Sequence, residues 1–213
     1  MKVLITGFDP FGGEPINPAY EAIKMMKGNP KLCDLVKLEV PTVFGKSLET
    51  IGEAVEKERP DVVICVGQAG GRFDISVERV GINLDEARIP DNEGNFHQGK
   101  SIVEGGENAY FSTLPNRAIV KELKENRIPA SVSYSAGTFV CNHVLYGLMH
   151  LIKTKYPDMR GGFIHVPFLP EQVMDKRNVP SMSLEMICRG LELAVKASVE
   201  NTEDINYVSG ETH

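Results

Sequence analysis

Short apolar stretches rich in β-branched residues alternate with segments of helical periodicity along most of this sequence. The clearest of these stretches, residues 61–66 (DVVICV), lies between Pro60 and Gly67. A continuous apolar run of this length is typical of a strand that is buried on both faces of a sheet. Alternation of such strands with helices indicates a largely parallel sheet that helices cover on both faces. The sequence therefore predicts one α/β domain over residues 1–213.

The individual elements follow from the same periodicity and from helix-capping residues. Asn17 and Pro18 are typical of the first residues of a helix, which is expected to end before Gly28. Further helices are predicted at residues 47–58, 116–126, 142–155 and 184–199. Strands are predicted at residues 3–6, 35–40, 61–66, 77–83, 130–134 and 162–166. The polar segment 200–213 is expected to fray.

Residues 84–115 lack helical periodicity and are rich in Gly, Asn and Pro. An irregular segment of this length is uncommon in a compact domain and is usually either functional or disordered. A small hairpin is expected around residues 91–94. Because ligand sites in open α/β sheets form at the carboxyl ends of the strands, we expect this segment to form a lid or a wall of such a site.

Composition argues against several classes of function. The chain has 23 Lys and Arg against 29 Asp and Glu, whereas binding to a phosphate backbone needs clustered basic residues, so nucleic acid is not an expected partner. No apolar run approaches the roughly 20 residues of a membrane helix, and the N-terminal run is too short for a signal peptide. The 4 cysteines are scattered, without a CxxC pair or a zinc-binding spacing. These features predict a cytoplasmic protein with free thiols.

Two glycine clusters follow predicted strands. The first, residues 7–13 (GFDPFGG), matches neither GxGxxG nor the phosphate-binding loop that ends in Lys followed by Ser or Thr. Its Phe8 and Phe11 either pack beneath the loop or face an apolar ligand. The second, residues 67–72 (GQAGGR), is either a simple turn or a place where the backbone approaches a ligand closely.

Cys141 is the most informative cysteine, because it lies between a predicted strand and the start of a predicted helix. The positive end of a helix dipole stabilises a thiolate, so we expect a lowered thiol pKa and a nucleophilic role. The alternative is a small buried side chain, which is the simpler interpretation of Cys65 within its apolar strand. Cys33 and Cys188 lack any local activating feature.

A nucleophilic thiolate needs a base. The histidines are His97, His143, His150, His165 and His213. His165 ends an apolar strand at the sheet edge where Cys141 begins its helix, although a satisfied polar group of the core is the alternative. Glu78 lies in another apolar strand and is a candidate to orient the imidazole. An inward Glu78 would need a cationic partner, whereas a surface Glu78 would simply lie beside Arg79.

The sequence resembles the pyroglutamyl peptidase I (pyrrolidone-carboxylate peptidase) family of cysteine peptidases in six collinear motifs, from about residue 3 to residue 183. The motifs are GFDPFGG, VGQAGGR, ISVERVGIN, EARIPDNEG, YSAGTFVCNHVLYGLMH and GGFIHVPFLPEQ. Gly81 departs from the family pattern, which usually has alanine there. The resemblance implies hydrolysis of the N-terminal pyroglutamyl residue of peptides by an α/β/α sandwich. It also implies a cytoplasmic homotetramer without a metal or an organic cofactor.

The resemblance further implies roles for individual residues. Cys141 is the nucleophile, His165 is the general base and acid, and Glu78 orients the imidazole. Arg88, in the ARIPDN motif, donates to the oxyanion together with the backbone N–H of Cys141. The implied substrate is a flat, uncharged lactam, so the pocket is expected to combine aromatic walls with hydrogen-bonding groups. The expected walls are Phe8, Phe11 and Phe139, and the expected polar partners are Asn17 and Gln68, the latter through its side chain or its backbone.

Two other functions fit the same fold class. A phosphorylase-like transferase would require phosphate and would tolerate thiol alkylation, but beyond Arg72 neither glycine cluster has basic residues for an anion pocket. A ligand-binding module with Cys141 as a redox sensor would bind without turnover and would keep its function after Cys141→Ser.

Overall fold

A computed structural model of the chain describes residues 1–210, so His213 and the end of the predicted tail lie outside the described residues. The strands are β1 (Lys2–Phe8), β2 (Asp34–Val40), β3 (Val62–Gln68), β4 (Ile75–Glu78), β5 (Val80–Ile82), β6 (Ala109–Phe111), β7 (Ala130–Ser133) and β8 (Arg160–Val166). The helices are α1 (Pro18–Met25), α2 (Lys46–Glu58), α3 (Asn116–Glu125), α4 (Val140–Lys155) and α5 (Leu184–Glu200), with a short 3₁₀ turn at Pro170–Gln172.

Six strands form one sheet in the order β2-β1-β3-β8-β4-β7. The first four run parallel, and β4 and β7 are parallel to each other but antiparallel to β8. The predicted α/β class, with a largely parallel mixed sheet, is therefore confirmed.

Helices cover both faces of this sheet, which gives the three layers of the predicted α/β/α sandwich. Along β3, Val62, Ile64 and Val66 face the core beneath α1, α3 and α5, whereas Val63 and Cys65 face the core beneath α2 and α4. All of these side chains are fully buried. The continuous apolar run in the sequence thus reflects burial on both faces.

Capping side chains fix the first turns of two helices, and the sequence predicts the first of them, at Asn17. Asn17 is the N-cap of α1, and its side chain accepts a hydrogen bond from the backbone N–H of Ala19 at 3.1 Å. Ser183 has the same role for α5, accepting from Met186 N–H at 3.3 Å. Such caps satisfy backbone donors that have no partner within the helix.

The predicted strand at residues 77–83 is wrong in its extent, because the chain there forms two strands in two sheets. The first, β4, ends at Glu78, and the second, β5, pairs only with β6 in a two-stranded sheet. Gly81 lies against α4 so closely that a β-carbon would stand 2.8 Å from the backbone nitrogen of Tyr146. The departure from alanine at this position thus accompanies close contact between β5 and the helix.

Residues 84–115 are mostly irregular, as predicted, apart from β6. Within them, residues 85–100 form an arm that is folded back on itself. Backbone hydrogen bonds join Asp85 to Lys100 at 2.7 Å, Ala87 to His97 at 2.8 Å, and Asp91 to Asn95 at 3.0 Å. The hairpin expected at residues 91–94 is the tip of this arm.

The expectation that the C-terminal tail frays is wrong for its first residues. Asp204 accepts hydrogen bonds from the backbone N–H groups of Arg117 and Ala118, at 2.9 and 3.2 Å. These groups are at the start of α3, which has no side-chain cap of its own. The tail therefore supplies the missing cap, a contact that residues 200–210 do not indicate by composition alone.

Candidate active site

The carboxyl ends of β3 and β8 bring two site positions side by side. Gly67 of β3 is the register partner of His165 of β8. Along β8, Phe163 lies in the core beneath α2 and α4, and the alternation of a strand places His165 on the same face. His165 is almost completely buried. The predicted location of the histidine, at the edge where α4 begins, is therefore confirmed.

Cys141 lies in the first turn of α4, directly above Gly67. A β-carbon at Gly67 would stand 2.9 Å from the sulfur of Cys141 and 2.8 Å from the ring of Phe163. Only glycine therefore leaves room for the sulfur at this point of β3.

No hydrogen bond joins the sulfur of Cys141 to the ring of His165 within residues 1–210. Catalytic hydrogen bonds in unliganded enzymes are often long and shorten when substrate binds. The structure thus places the two groups next to each other, and their direct contact stays a prediction.

Glu78 holds the His165 ring from the neighbouring strand. The distance between Glu78 Oε1 and His165 Nδ1 is 2.7 Å, and the carboxylate is fully buried. Burial opposes ionisation of Glu78, but the hydrogen bond with His165 and the positive charge of Arg72 hold the pKa of this carboxyl below its ordinary value. With Glu78 ionised, the imidazole is protonated at Nδ1, and this N–H donates a hydrogen bond to the carboxylate. This tautomer leaves Nε2 able to accept a proton.

The cationic partner that an inward Glu78 requires is Arg72, whose pairing with Glu78 the sequence does not indicate. One guanidinium nitrogen of Arg72 donates to Glu78 Oε1 at 2.5 Å, and the other donates to the carbonyl of Ser135 at 2.8 Å. Arg79, the sequence neighbour, instead lies over the ring of Phe111.

The predicted lowering of the Cys141 thiol pKa is wrong, because the pKa is raised. Burial, and next the Glu78 carboxylate, raise the pKa of the thiol to about 12, while Arg72 lowers it. The resting thiol is therefore protonated, and it must lose its proton to a neighbouring base before or during attack. Burial likewise raises the pKa of the Cys65 thiol to about 12, in keeping with a structural role inside β3.

The predicted aromatic walls lie at different depths. Phe11 and Phe139 lie near each other, with ring centroids 6.3 Å apart, and both are only partly buried. Phe8 is buried and packs 6.2 Å from Phe163, so it lies beneath the site. The sequence did not single out Phe44, whose ring meets Phe139 edge-on at 5.4 Å.

The two predicted polar partners are engaged in structural hydrogen bonds. Besides capping α1, Asn17 donates to the carbonyl of Asp9 at 3.0 Å. The side-chain oxygen of Gln68 accepts from Gln172 at 2.9 Å. By the alternation of β3, this side chain lies on the face opposite His165. Any contact between Gln68 and a ligand beside Cys141 is therefore expected to come from its backbone.

Arg88 lies on the arm of residues 85–100 and is exposed. Its side chain has no hydrogen bond or ion pair within the described part of the chain. The arm itself is fastened to the body at Asp85, whose carboxylate is 2.9 Å from His143 Nδ1 and 3.1 Å from His97 Nδ1. The oxyanion role of Arg88 stays a prediction, and the Asp85 cluster is a feature that no sequence pattern indicated.

Two further features bear on function. Within residues 1–210, no three His, Cys, Asp or Glu side chains are grouped so that they could hold a metal ion. Across the same residues, every helix is too short or too polar to cross a membrane.

The sequence profile of a family described as "Pyroglutamyl peptidase" matches residues 1–201 of this chain. The pyrrolidone-carboxylate peptidase of Clostridium botulinum is 60% identical over 211 residues, which cover 99% of each protein. The protein of the same name from Clostridium perfringens is 61% identical over 210 residues, again with 99% of each covered.

Solved structures agree with these sequence similarities. The crystal structure of pyroglutamyl peptidase I from Bacillus amyloliquefaciens superposes with a TM-score of 0.94 at 52% identity, covering 97% of this chain and 99% of the other. A mutant pyrrolidone carboxyl peptidase from the hyperthermophile Pyrococcus furiosus gives a TM-score of 0.89 at 44% identity, with 94% and 99% covered.

Proposed function

Because the chain belongs to the pyroglutamyl peptidase family, we propose that it removes N-terminal pyroglutamate from peptides through a thioester on Cys141. The protein is a cysteine-type peptidase. The proposal concerns which residues do the chemistry and in what order.

One observation carries the assignment: Cys141 lies over Gly67, and the neighbouring strand presents His165 with its ring held by the buried Glu78. This arrangement supports the proposal that Cys141, His165 and Glu78 act together at this edge of the sheet as nucleophile, base and orienting carboxylate. Because burial raises the pKa of the Cys141 thiol to about 12, the thiol depends on His165 for activation.

In the first half of the reaction, the sulfur of Cys141 attacks the carbonyl carbon of the pyroglutamyl residue while its proton passes to His165 Nε2. The tetrahedral intermediate then breaks its C–N bond, and the imidazolium gives the proton to the leaving amine. In the second half, His165 takes a proton from water, which attacks the thioester. The second tetrahedral intermediate breaks its C–S bond, pyroglutamate leaves, and His165 returns the proton to the Cys141 sulfur.

The oxyanion of each tetrahedral intermediate needs hydrogen-bond donors. Cys141 is the second residue of α4, so its backbone N–H has no acceptor within the helix and is free to donate. We assign the second donor to Arg88, whose exposed side chain on the arm has no partner among residues 1–210. Loss of one such donor typically costs on the order of 10² to 10³ in kcat.

The lactam ring is expected to lie between Phe11 and Phe139, with Phe8 beneath it. An uncyclised N-terminal glutamine would bring an ammonium group into this apolar site, where its loss of hydration is costly. The carboxylate beside His165, Glu78, already pairs with Arg72 and His165 through Oε1. Asn17 and the backbone of Gln68 are the proposed polar partners of the lactam.

The deciding experiment compares two peptides that differ only in pyroglutamate or glutamine at the first position. We expect cleavage of the first alone, abolished by Cys141→Ala with the circular dichroism spectrum unchanged. Full activity after stoichiometric alkylation of Cys141 by iodoacetamide would overturn the assignment of the nucleophile. Activity that requires phosphate would favour the transferase, and binding without turnover would favour the redox-sensing module.

The resemblance also leads us to propose a cytoplasmic homotetramer that needs no metal or organic cofactor. Light scattering of the purified protein tests the number of subunits. Dialysis against a chelator tests the second point, since undiminished turnover is expected.

A further inference from the structure

Arg72 links the loop after β3 to the buried Glu78. Its guanidinium donates to Glu78 Oε1 at 2.5 Å, and the same oxygen lies 2.7 Å from His165 Nδ1. Its other nitrogen donates to the carbonyl of Ser135, in the segment that leads into Cys141. About 29% of the Arg72 side chain is exposed, whereas the Glu78 side chain is fully buried. Arg72 therefore closes the carboxylate off from solvent.

The charged and titratable groups around His165 come from three elements. The segment of β4 contributes Glu78 and the nearby Asp74, which accepts a hydrogen bond from Ser76, the register partner of His165. From β3 and its following loop come Cys65 and Arg72, and from α4 comes Cys141. Arg72 is the single permanent cation among these groups.

We propose that Arg72 is a positioning residue of the reaction: it directs Glu78 Oε1 toward His165, and its charge lowers the pH at which the Cys141–His165 pair releases a proton. This inference rests on the proposed function of Cys141 and His165. In this role Arg72 neither transfers a proton nor contacts the substrate, and it acts only through Glu78 and its own charge.

The direction of the effect does not depend on which group of the pair holds the proton. A nearby positive charge disfavours proton binding at every group around it. Removing that charge therefore raises both macroscopic pKa values of a coupled pair. Burial has the largest influence on the pKa of Glu78 and on that of Cys141, and Arg72 lowers each of them. Because Arg72 is partly exposed, solvent screening limits the expected change.

The experiment compares wild type with Arg72→Gln by two measurements across pH. One is kcat/KM for a pyroglutamyl amide, and the other is the rate of Cys141 alkylation by iodoacetamide, followed by mass spectrometry without any substrate. We expect the acid-side midpoint of both profiles to move up by about one pH unit in Arg72→Gln. Arg72→Lys keeps the charge, so its midpoint should stay within about 0.3 unit of wild type, even though the bond to Ser135 is lost.

Arg79→Gln is the matched control, since Arg79 follows Glu78 in sequence but donates to the carbonyl of Ser112 instead. It should leave both midpoints unchanged. If Arg72→Gln does not fold, the double variant Arg72→Gln with Glu78→Gln, compared with Glu78→Gln alone, removes the same charge without leaving a buried carboxylate unpaired. An upward shift is expected there too.

Unchanged or lowered midpoints in Arg72→Gln, or in the double-variant comparison, would overturn the role of Arg72 while leaving the peptidase assignment intact. If instead alkylated wild type remained active, the nucleophile would be wrong, whatever the alkylation profile of Arg72→Gln. The two measurements therefore separate failure of the inference from failure of the proposed function.

Discussion

Two buried carboxylates in this molecule hold imidazoles close to the start of α4, and the two clusters differ in what remains available. Glu78 engages Nδ1 of His165 and leaves Nε2 without a partner in the described residues. Asp85 engages Nδ1 of His143, but Nε2 of that ring accepts a hydrogen bond from the backbone N–H of Gly45 at 3.1 Å. Both nitrogens of His143 are thus committed to structure.

The difference shows why carboxylate–histidine proximity alone does not identify a catalytic base. A base needs a free nitrogen facing the group that it deprotonates. His143 instead joins the arm, α2 and α4, and Asp85 also holds His97, whose ring stacks on Phe44 with centroids 4.2 Å apart. We therefore interpret the Asp85 cluster as a fastening of the arm and the Glu78 cluster as part of the catalytic machinery.

The strongest test of this contrast replaces the two imidazoles in turn. His165→Ala should lower kcat/KM by about 10⁴- to 10⁶-fold, since both proton transfers lose their agent. His143→Ala should keep activity within about tenfold, because it removes only a structural contact. Steady-state assays with a pyroglutamyl amide measure both. A larger loss from His143→Ala than from His165→Ala would reverse the two assignments.

Substitution of the two carboxylates, Glu78 and Asp85, should affect activity in the same order as substitution of the two histidines, but with a smaller difference. Glu78→Gln keeps the shape of the side chain but can no longer fix the imidazole tautomer, so we expect a loss of about 10²- to 10⁴-fold, mainly in kcat. Asp85→Asn should cost less than about tenfold. If Asp85→Asn matched the loss in Glu78→Gln at equal thermal stability, the arm cluster would belong to the reaction after all.

Whether a feature of this arrangement can be predicted from the sequence depends on how far apart in the chain the interacting residues are. Strand β3, the cap at Asn17 and the location of both Cys141 and His165 at one edge of the sheet follow from local patterns and from the rule for parallel sheets. The pairing of Glu78 with Arg72 does not. The side chains of residues 78 and 79 point to opposite faces of an extended chain. Arg79, although adjacent in sequence, therefore cannot reach the Glu78 carboxylate.

Other features of the site depend on three-dimensional burial and were beyond sequence reasoning. The helix dipole at Cys141 is visible in the sequence, but its opposition by desolvation and by Glu78 is not. The Asp85 cluster joins residues that are 58 apart in the chain, in a segment without periodicity. The cap of α3 by Asp204 spans 87 positions and is equally hidden.

The two clusters should also differ in what they contribute to stability. His143→Ala leaves the N–H of Gly45 without its acceptor and removes one of the two imidazoles from a buried Asp85 carboxylate. We expect a loss of about 2–4 kcal/mol, which lowers Tm by roughly 5–15 °C in a chain of this size. Calorimetry of wild type and His143→Ala measures this, with His150→Ala on the same helix as the control. An unchanged Tm would mean that the arm is held elsewhere.

The smallest expected effect concerns the pH dependence of stability. The pKa of Glu78 in the folded state lies below its ordinary value of 4.5, so its ionised form stabilises the fold above that pH. This contribution is lost as the pH falls below 4.5 through the lower folded-state value. Chemical denaturation at several pH values should therefore show a shallower acid-side decline in Glu78→Gln than in wild type, whatever the absolute stability of the variant. A decline that is equally steep would place the acid sensitivity in other carboxylates. Asp91 is the first of these to examine, because its pKa is lowered as well. Burial raises the pKa of Asp91, but its hydrogen bonds to Asn95 and to the backbone of Phe44 outweigh that effect.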